Sequence, residues 1–299
     1  MRFGLQLPVQ AQSTLMAAPW ESSAGPAELA AVAAACDVNG FDYVGVCDHV
    51  AVPRDLAPRM STTWYDTVAT LGWLAARTAR VRLLSHVYVL AYRHPLATAK
   101  AFATLDMLSG GRVILGVGAG HAAGEFEALG VPFDQRGTIT DQRIVEVRAA
   151  LRDEWATGDV GQRPRPLQGG GPPIWVGGSS RPAIRRAATL ADGWLPQGPP
   201  DGGMAAAISM LREERERAGL VFDGFAVGGG VSFYVGTPAW EVPDWIVTGP
   251  PDAISDCVAE LAAIGVTHVQ VRPQSRTCDE FVDQIAAFGS EIAPLLVDA

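Results

Sequence analysis

Short apolar runs alternate with helix-like stretches along the whole chain, and this alternation predicts the fold class. Runs that suit strands begin near Phe3, Tyr43, Arg82, Arg112, Pro173, Gly193, Ala226 and Thr267. Helical spacing fills the gaps over Pro26–Asn39, Tyr65–Thr78, Leu96–Leu108, Ser180–Leu190, Gly203–Ala218, Pro251–Ile264 and Cys278–Leu296. Eight strands, each followed by a helix, predict a closed (β/α)8 TIM barrel, which needs roughly 250 residues in its simplest form. An open doubly wound sheet is the alternative, and the regularity of eight units favours closure. Arg112 and Pro173 stand 61 positions apart. That interval has room for helices near Ala122–Leu129 and Arg136–Trp155 and for the Gly- and Pro-rich loop Thr157–Pro173. The expectation is one barrel domain over residues 1–299, with an insertion after strand 4 at approximately 119–172.

The segment Arg80–Gly120 is the most informative. Val81–Val89 is apolar and β-branched, as a strand buried on both faces should be. Arg93-His94-Pro95 ends it, and Pro95 suits the first turn of a helix, where its missing N–H costs nothing. Leu96–Leu108 is helical in pattern, Ser109-Gly110-Gly111 stops it, and Val113–Val117 is a second strand. Such a βαβ unit brings both C-terminal strand ends to one rim. In a barrel that rim carries the active site. It would gather Gln6, Pro8, Asp48, His49, His86, Tyr88, Arg93, Gly118–His121, Gly177–Ser180, Trp194, Gln197 and Arg272.

Composition narrows the classes. The chain has 299 residues, 48% of them hydrophobic, enough for a large core. A net charge of −9, without basic clusters, argues against a nucleic-acid surface. No apolar run approaches a membrane span, and MRFGLQLPVQ lacks the core of a signal peptide, so a cytoplasmic enzyme is expected. Cys36, Cys47, Cys257 and Cys278 lack metal-type spacing and read as reduced thiols. The five histidines show no HxH or HxxxH pair, so no metal is expected. Without a GxSxG elbow or a Cys-His nucleophile, the chemistry points to a bound organic cofactor.

Several motifs could serve it. Ile174–Gly177 runs into Gly178-Ser179-Ser180 and then a helix, an arrangement that suits either an anion at the helix start or an ordinary turn capped by Ser180. Gly116–Gly120 lacks the third glycine and the acidic residue of a dinucleotide fingerprint, but it suits a rim where a flat ring approaches backbone. Asp48-His49 closes the second strand, where a His can exchange a proton. Arg93 could pair with an anionic ligand or with a carboxylate such as Glu125 or Asp106, and a structural ion pair is the expected role. Trp64 could wall a pocket.

These segments carry a resemblance. FGLQLP, FDYVGVCDH, RHPLATAKAFATLDMLSGGRVILGVGAGH, EFEALGVPFDQR, PPIWVGGSS and DGW occur in the order found in the luciferase-like monooxygenase superfamily. The chain resembles its deazaflavin (coenzyme F-420)-dependent oxidoreductase branch. The resemblance implies a (β/α)8 barrel with an insertion after strand 4. It implies that Asp48 and His49 face the deazaflavin, with His49 a proton donor or acceptor, and that His86-Val87 is a non-prolyl cis peptide behind the ring. Gly177, Gly178, Ser179 and Ser180 would hold the cofactor phosphate, and Gly118, Gly120 and His121 would lie beside its side chain. His121 stands where many relatives have Trp, and Gly124 where they have Glu or Asn. Glu125 is a second proton-handling candidate by position. The implied reaction is hydride transfer between coenzyme F-420 and a small organic substrate, with a homodimer as the family's habit. The alternatives are a flavin mononucleotide (FMN)-dependent monooxygenase, a non-catalytic flavin-binding protein, and a barrel lyase or isomerase acting on a phosphorylated substrate. The last would call for a Schiff-base Lys, yet the sole lysine, Lys100, falls within a helix. Loops 10–25, 50–64 and 235–250 are expected to shape the substrate pocket.

Overall fold

The computed structural model describes residues 1–13 and 17–296, so part of the 10–25 loop lies outside the described residues. Eight parallel strands form the barrel: β1 (Arg2–Gln6), β2 (Tyr43–Val46), β3 (Arg82–Ser85), β4 (Val113–Gly118), β5 (Ile174–Gly177), β6 (Gly193–Leu195), β7 (Ala226–Val235) and β8 (His268–Pro273). β8 pairs with both β7 and β1, which closes the ring. This is the expected TIM barrel. The outer helices are α1 (Pro26–Val38), α2 (Thr67–Ala75), α3 (Pro95–Ser109), α4 (Arg136–Arg152), α5 (Arg181–Leu190), α6 (Gly203–Arg217), α7 (Pro251–Ala263) and α8 (Cys278–Ala287).

Local chemistry sets many of these boundaries. Asp66 caps α2 by accepting from the Ala69 amide at 2.8 Å. Pro95 opens α3, and Gly110, at φ +73°, ends it in the left-handed conformation. Within residues 119–172, α4 packs against both α3 and α5 and belongs to the outer ring. The short helix Ala123–Ala128 and the irregular stretch after α4 are what exceed a minimal unit. Three features differ from the sequence expectation. A four-residue helix, Ala57–Met60, lies after β2, and Val247–Gly249 adds a short strand beside the end of β7. The helix expected over Cys278–Leu296 stops at Ala287 and gives way to a π turn and a 3-10 turn.

Apolar side chains form two layers. The larger lies between strands and helices and includes Leu5, Val44, Leu83, Leu115, Val227 and Val269. The smaller fills the barrel's lower lumen with Tyr43, Leu84, Ile114, Trp175, Leu195 and Ala226. Tyr43 and Trp175 meet edge to face at 5.7 Å. This plug fills the lumen below the C-terminal mouth. Among the described residues, no helix is long and apolar enough to cross a membrane.

The apolar run Val81–Val89 is not one strand. Leu84 is in register with Ile114, but Tyr88 is in register with Val117, so three residues of one chain oppose two of the other. The extra residue makes a β-bulge. The His86-Val87 peptide at its centre is cis. Glycines make room for the bulge. A Cβ on Gly118 or Gly177 would lie 2.5 or 2.6 Å from a Val87 methyl, and one on Gly116 would lie 2.0 Å from the Ser85 carbonyl oxygen. By contrast, a Cβ on Gly72, inside α2, would meet nothing within 4 Å.

These environments predict opposite signs for one substitution type. Gly116→Ala should destabilise by about 3 kcal/mol or more through overpacking. Gly72→Ala should stabilise by about 0.5–1 kcal/mol, since alanine loses less freedom in a helix. Urea unfolding of the two variants checks both, and a stable Gly116→Ala protein would contradict the packing described.

Candidate active site

Asp48 and His49 follow β2 and have different surroundings. The Asp48 side chain is 2% exposed. Its Oδ2 accepts from the Val89 amide at 2.8 Å and from Arg93 Nη1 at 2.5 Å, and its Oδ1 accepts from Arg93 Nη2 at 2.8 Å and Thr67 Oγ1 at 3.1 Å. Asp48 borders the mouth, but its oxygens serve the protein. Arg93 forms the expected structural ion pair, with Asp48 as its carboxylate, and its guanidinium stacks on Tyr88 at 4.0 Å. Asp106 instead accepts from the Gln168 amide and side chain at 3.0 and 2.7 Å.

His49 faces the mouth. Its Nδ1 lies 2.8 Å from Glu125 Oε2. Glu125, from Ala123–Ala128, also accepts from the Tyr92 hydroxyl at 2.9 Å and from the Val50 and Ala51 amides at 2.5 and 3.1 Å. Burial opposes ionisation of this carboxyl, but the His49 hydrogen bond and the two amides outweigh it and hold its pKa below the usual value. An ionised carboxylate can only accept, so His49 carries its proton on Nδ1 and offers Nε2. With four donors already bound, Glu125 orients His49. Trp64 packs edge-on against the imidazole at 4.4 Å, the wall expected of it, and His121 lies beyond at 5.4 Å. Burial and the neighbouring His49 lower the pKa of His121, against the pull of Glu125.

A cavity of about 580 Å³ runs from His49 past Val87 and Gly118–His121 to Gly177, Gly178 and Ser180 at the start of α5. Arg136 and Arg186 line this far end. Arg136 donates to the Phe133 carbonyl at 2.9 Å, and Arg186 pairs with Asp141 and donates to the Gly137 carbonyl. Ser180 caps α5. Ser179 does not line the cavity: it donates to the Gly198 carbonyl at 2.6 Å and accepts from the Gln197 amide at 3.0 Å. That is a correction for Ser179, whose hydroxyl ties two loops together. His86 separates this space from a second cavity of about 870 Å³ on the β7–β8 side, and the two share His86 and Gly198. Burial pushes the His86 imidazole down to about 4. Neutral His86 accepts from the Gln197 side-chain nitrogen at 3.0 Å on Nε2.

Sequence reasoning missed Tyr92, Arg136 and Arg186. Arg136 lies inside the matching segment EFEALGVPFDQR, which was a usable signal, whereas nothing local marks Tyr92 or Arg186. Among the described residues, no cluster of three or more His, Cys, Asp or Glu is placed to hold a metal ion. All four cysteines are unpaired, and burial pushes Cys47 up to about 11.

The model of the luciferase-like monooxygenase family matches residues 1–246. A coenzyme F-420-dependent glucose-6-phosphate dehydrogenase of Nakamurella multipartita is 32% identical over 221 residues, 67% of this chain and 61% of that protein. A 5,10-methylenetetrahydromethanopterin reductase of Methanopyrus kandleri is 26% identical over 260 residues, 77% and 70% of the two chains. Among solved structures, a riboflavin lyase with modified FMN and riboflavin superposes with a TM-score of 0.81 at 17% identity, covering 100% of this chain and 91% of that one.

The lowered pKa of Glu125 makes a prediction with a definite sign. Its contribution to stability is present above the ordinary carboxyl value of 4.5 and is lost as pH falls through its lower folded value. Glu125→Gln should therefore destabilise fully near neutral pH, with the difference from wild type shrinking as pH drops below 4.5. Urea unfolding across that pH range checks it, and a pH-independent difference would contradict it.

Proposed function

The chain belongs to the luciferase-like monooxygenase family, and on that premise we propose that it is a coenzyme F-420-dependent oxidoreductase moving a hydride between the deazaflavin and an organic substrate. One observation carries this reading. An imidazole pinned through Nδ1 by a buried carboxylate offers Nε2 to a cavity whose far end suits an anion.

The residues fit the cofactor. A planar ring needs an apolar wall free of projecting side chains, and Val87 with the backbone of Gly118–Gly120 supplies one. A phosphate needs positive potential, and the N-terminal end of α5 and the guanidinium of Arg136 border the far end of the cavity, with Arg186, paired to Asp141, behind them. Bound there, the deazaflavin supplies a carbon centre that gives or takes a hydride. The protein's own residues bind, orient and manage protons. Glu125 fixes the tautomer of His49, and Tyr92 and the Val50 and Ala51 amides fix Glu125. His49 Nε2 would accept the hydroxyl proton when an alcohol is oxidised and return it in the reverse direction. The curated relatives named above as a reductase and a dehydrogenase support hydride transfer. FMN shares a fused ring and a phosphate, so the flavin-dependent monooxygenase is the second reading, and the riboflavin lyase is a structural neighbour containing modified FMN.

Fluorescence titration with coenzyme F-420, FMN and riboflavin separates these readings. Arg136→Gln should weaken F-420 binding by about 10- to 100-fold, the worth of a charged hydrogen bond, and leave phosphate-free riboflavin unaffected. Tight FMN binding without F-420 binding would move the protein to the monooxygenase reading. His49→Ala should keep cofactor affinity and slow turnover by about 100- to 10,000-fold. Near-normal turnover would remove His49 from the mechanism.

A further inference from the structure

The wall of the larger cavity contains a glycine whose backbone and packing would both accept a side chain. Register fixes which residues face the lumen: Gly228 pairs with His268, Gly230 with Gln270 and Ser232 with Arg272. The intervening Val227, Val231, Phe233, Val269 and Val271 belong to the outer core. Positions 228, 230 and 232 therefore point inward. At Gly228 a Cβ would lie 2.9 Å from the Trp194 carbonyl oxygen, so packing demands glycine. At Gly230 the nearest atom would be the Gln270 carbonyl oxygen at 3.7 Å, an ordinary contact, and the backbone is outside the left-handed region. Gly230 is the exposed residue in a buried stretch of β7. Glycine weakens a strand unless something must come close to it.

The cavity's other surfaces show what that something is. Trp240 and Trp245 roof it, with Met204, Leu195 and Phe281 at its sides. Trp240 is held in place by Tyr234, edge-on at 5.0 Å, and by the Arg276 guanidinium at 4.5 Å. Glu21 gives its oxygens to the Val9 and Ala18 amides, at 2.8 and 2.7 Å. A volume of about 870 Å³ walled mostly by apolar side chains and glycine backbone, with polar groups such as Gln270 and Arg272 set among them, is that of a site for a drug-sized ligand.

We propose that this cavity is the substrate chamber, that it takes a bulky, largely apolar molecule such as a fused-ring aromatic, and that Gly230 sets its size. The proposal rests on the oxidoreductase reading only for the neighbouring cofactor, which shares His86 with the chamber.

The test uses the whole protein and the neutral probe N-phenyl-1-naphthylamine, titrated by fluorescence with and without coenzyme F-420. Wild type should bind it saturably, at one site. Affinity should fall through Gly230→Ala, Gly230→Val and Gly230→Phe, by about tenfold or more at the last, while F-420 affinity and thermal unfolding stay at wild-type values. If Gly230→Phe fails to fold, Gly230→Val decides. No saturable binding, or equal affinity across the folded variants, overturns the proposal. Displacement of the probe by glucose 6-phosphate at comparable concentration overturns the apolar substrate class. Loss of F-420 binding with an intact probe series would sink the cofactor reading and leave the chamber standing.

Discussion

The mouth of the barrel depends on the Asp48 carboxylate. It gathers donors from the start of α2, from the main chain just past the bulge, and from Arg93 ahead of α3. A buried ion pair with complete hydrogen bonding adds little net stability, because desolvation offsets the attraction. Here its effect is geometric. It seats the residues after the bulge, with Val87 against the glycines of β4 and β5. The same segment carries Tyr92, whose hydroxyl reaches Glu125 and so, through it, His49. The neighbours Asp48 and His49 thus divide the work, one holding the scaffold and the other facing the cavity.

Two of the three histidines lining this cavity, His86 and His49, differ for reasons of environment. His86 has no carboxylate partner among its described contacts, and burial keeps it neutral. It is a fixed hydrogen-bonding partition, held by Gln197. His49 has a carboxylate behind one nitrogen and open space before the other. The same side chain is a closed partition at one position and faces open space at the other.

Much of this was legible in the sequence because it is periodic or local. The eight strands follow from apolar runs, the ends of α3 from Pro95 and Gly110, and the rim residues from their places at strand ends. The bulge was invisible to composition, because Val81–Val89 stays strand-like throughout and the glycines that admit it lie on other strands; only the family resemblance pointed to a cis peptide at His86-Val87. The Arg93–Asp48 pair was hidden because opposite charges far apart in sequence carry no label of partner. Ser179 sat in a motif that suits phosphate, yet its hydroxyl is used by residues 197 and 198, which only the folded chain brings near. Ala57–Met60 and Val247–Gly249 are too short to show a period.

Glycine is written into the lumen for two opposite reasons, and the difference governs how such a barrel can diversify. At 116, 118 and 177 a side chain would strike main chain or Val87, so drift at those codons damages the wall itself. At 230 nothing is struck. One mutational step there reshapes the larger space and leaves the scaffold of the smaller one untouched. A lineage carrying this arrangement can explore new occupants of one half of its mouth while inheriting the other half unchanged.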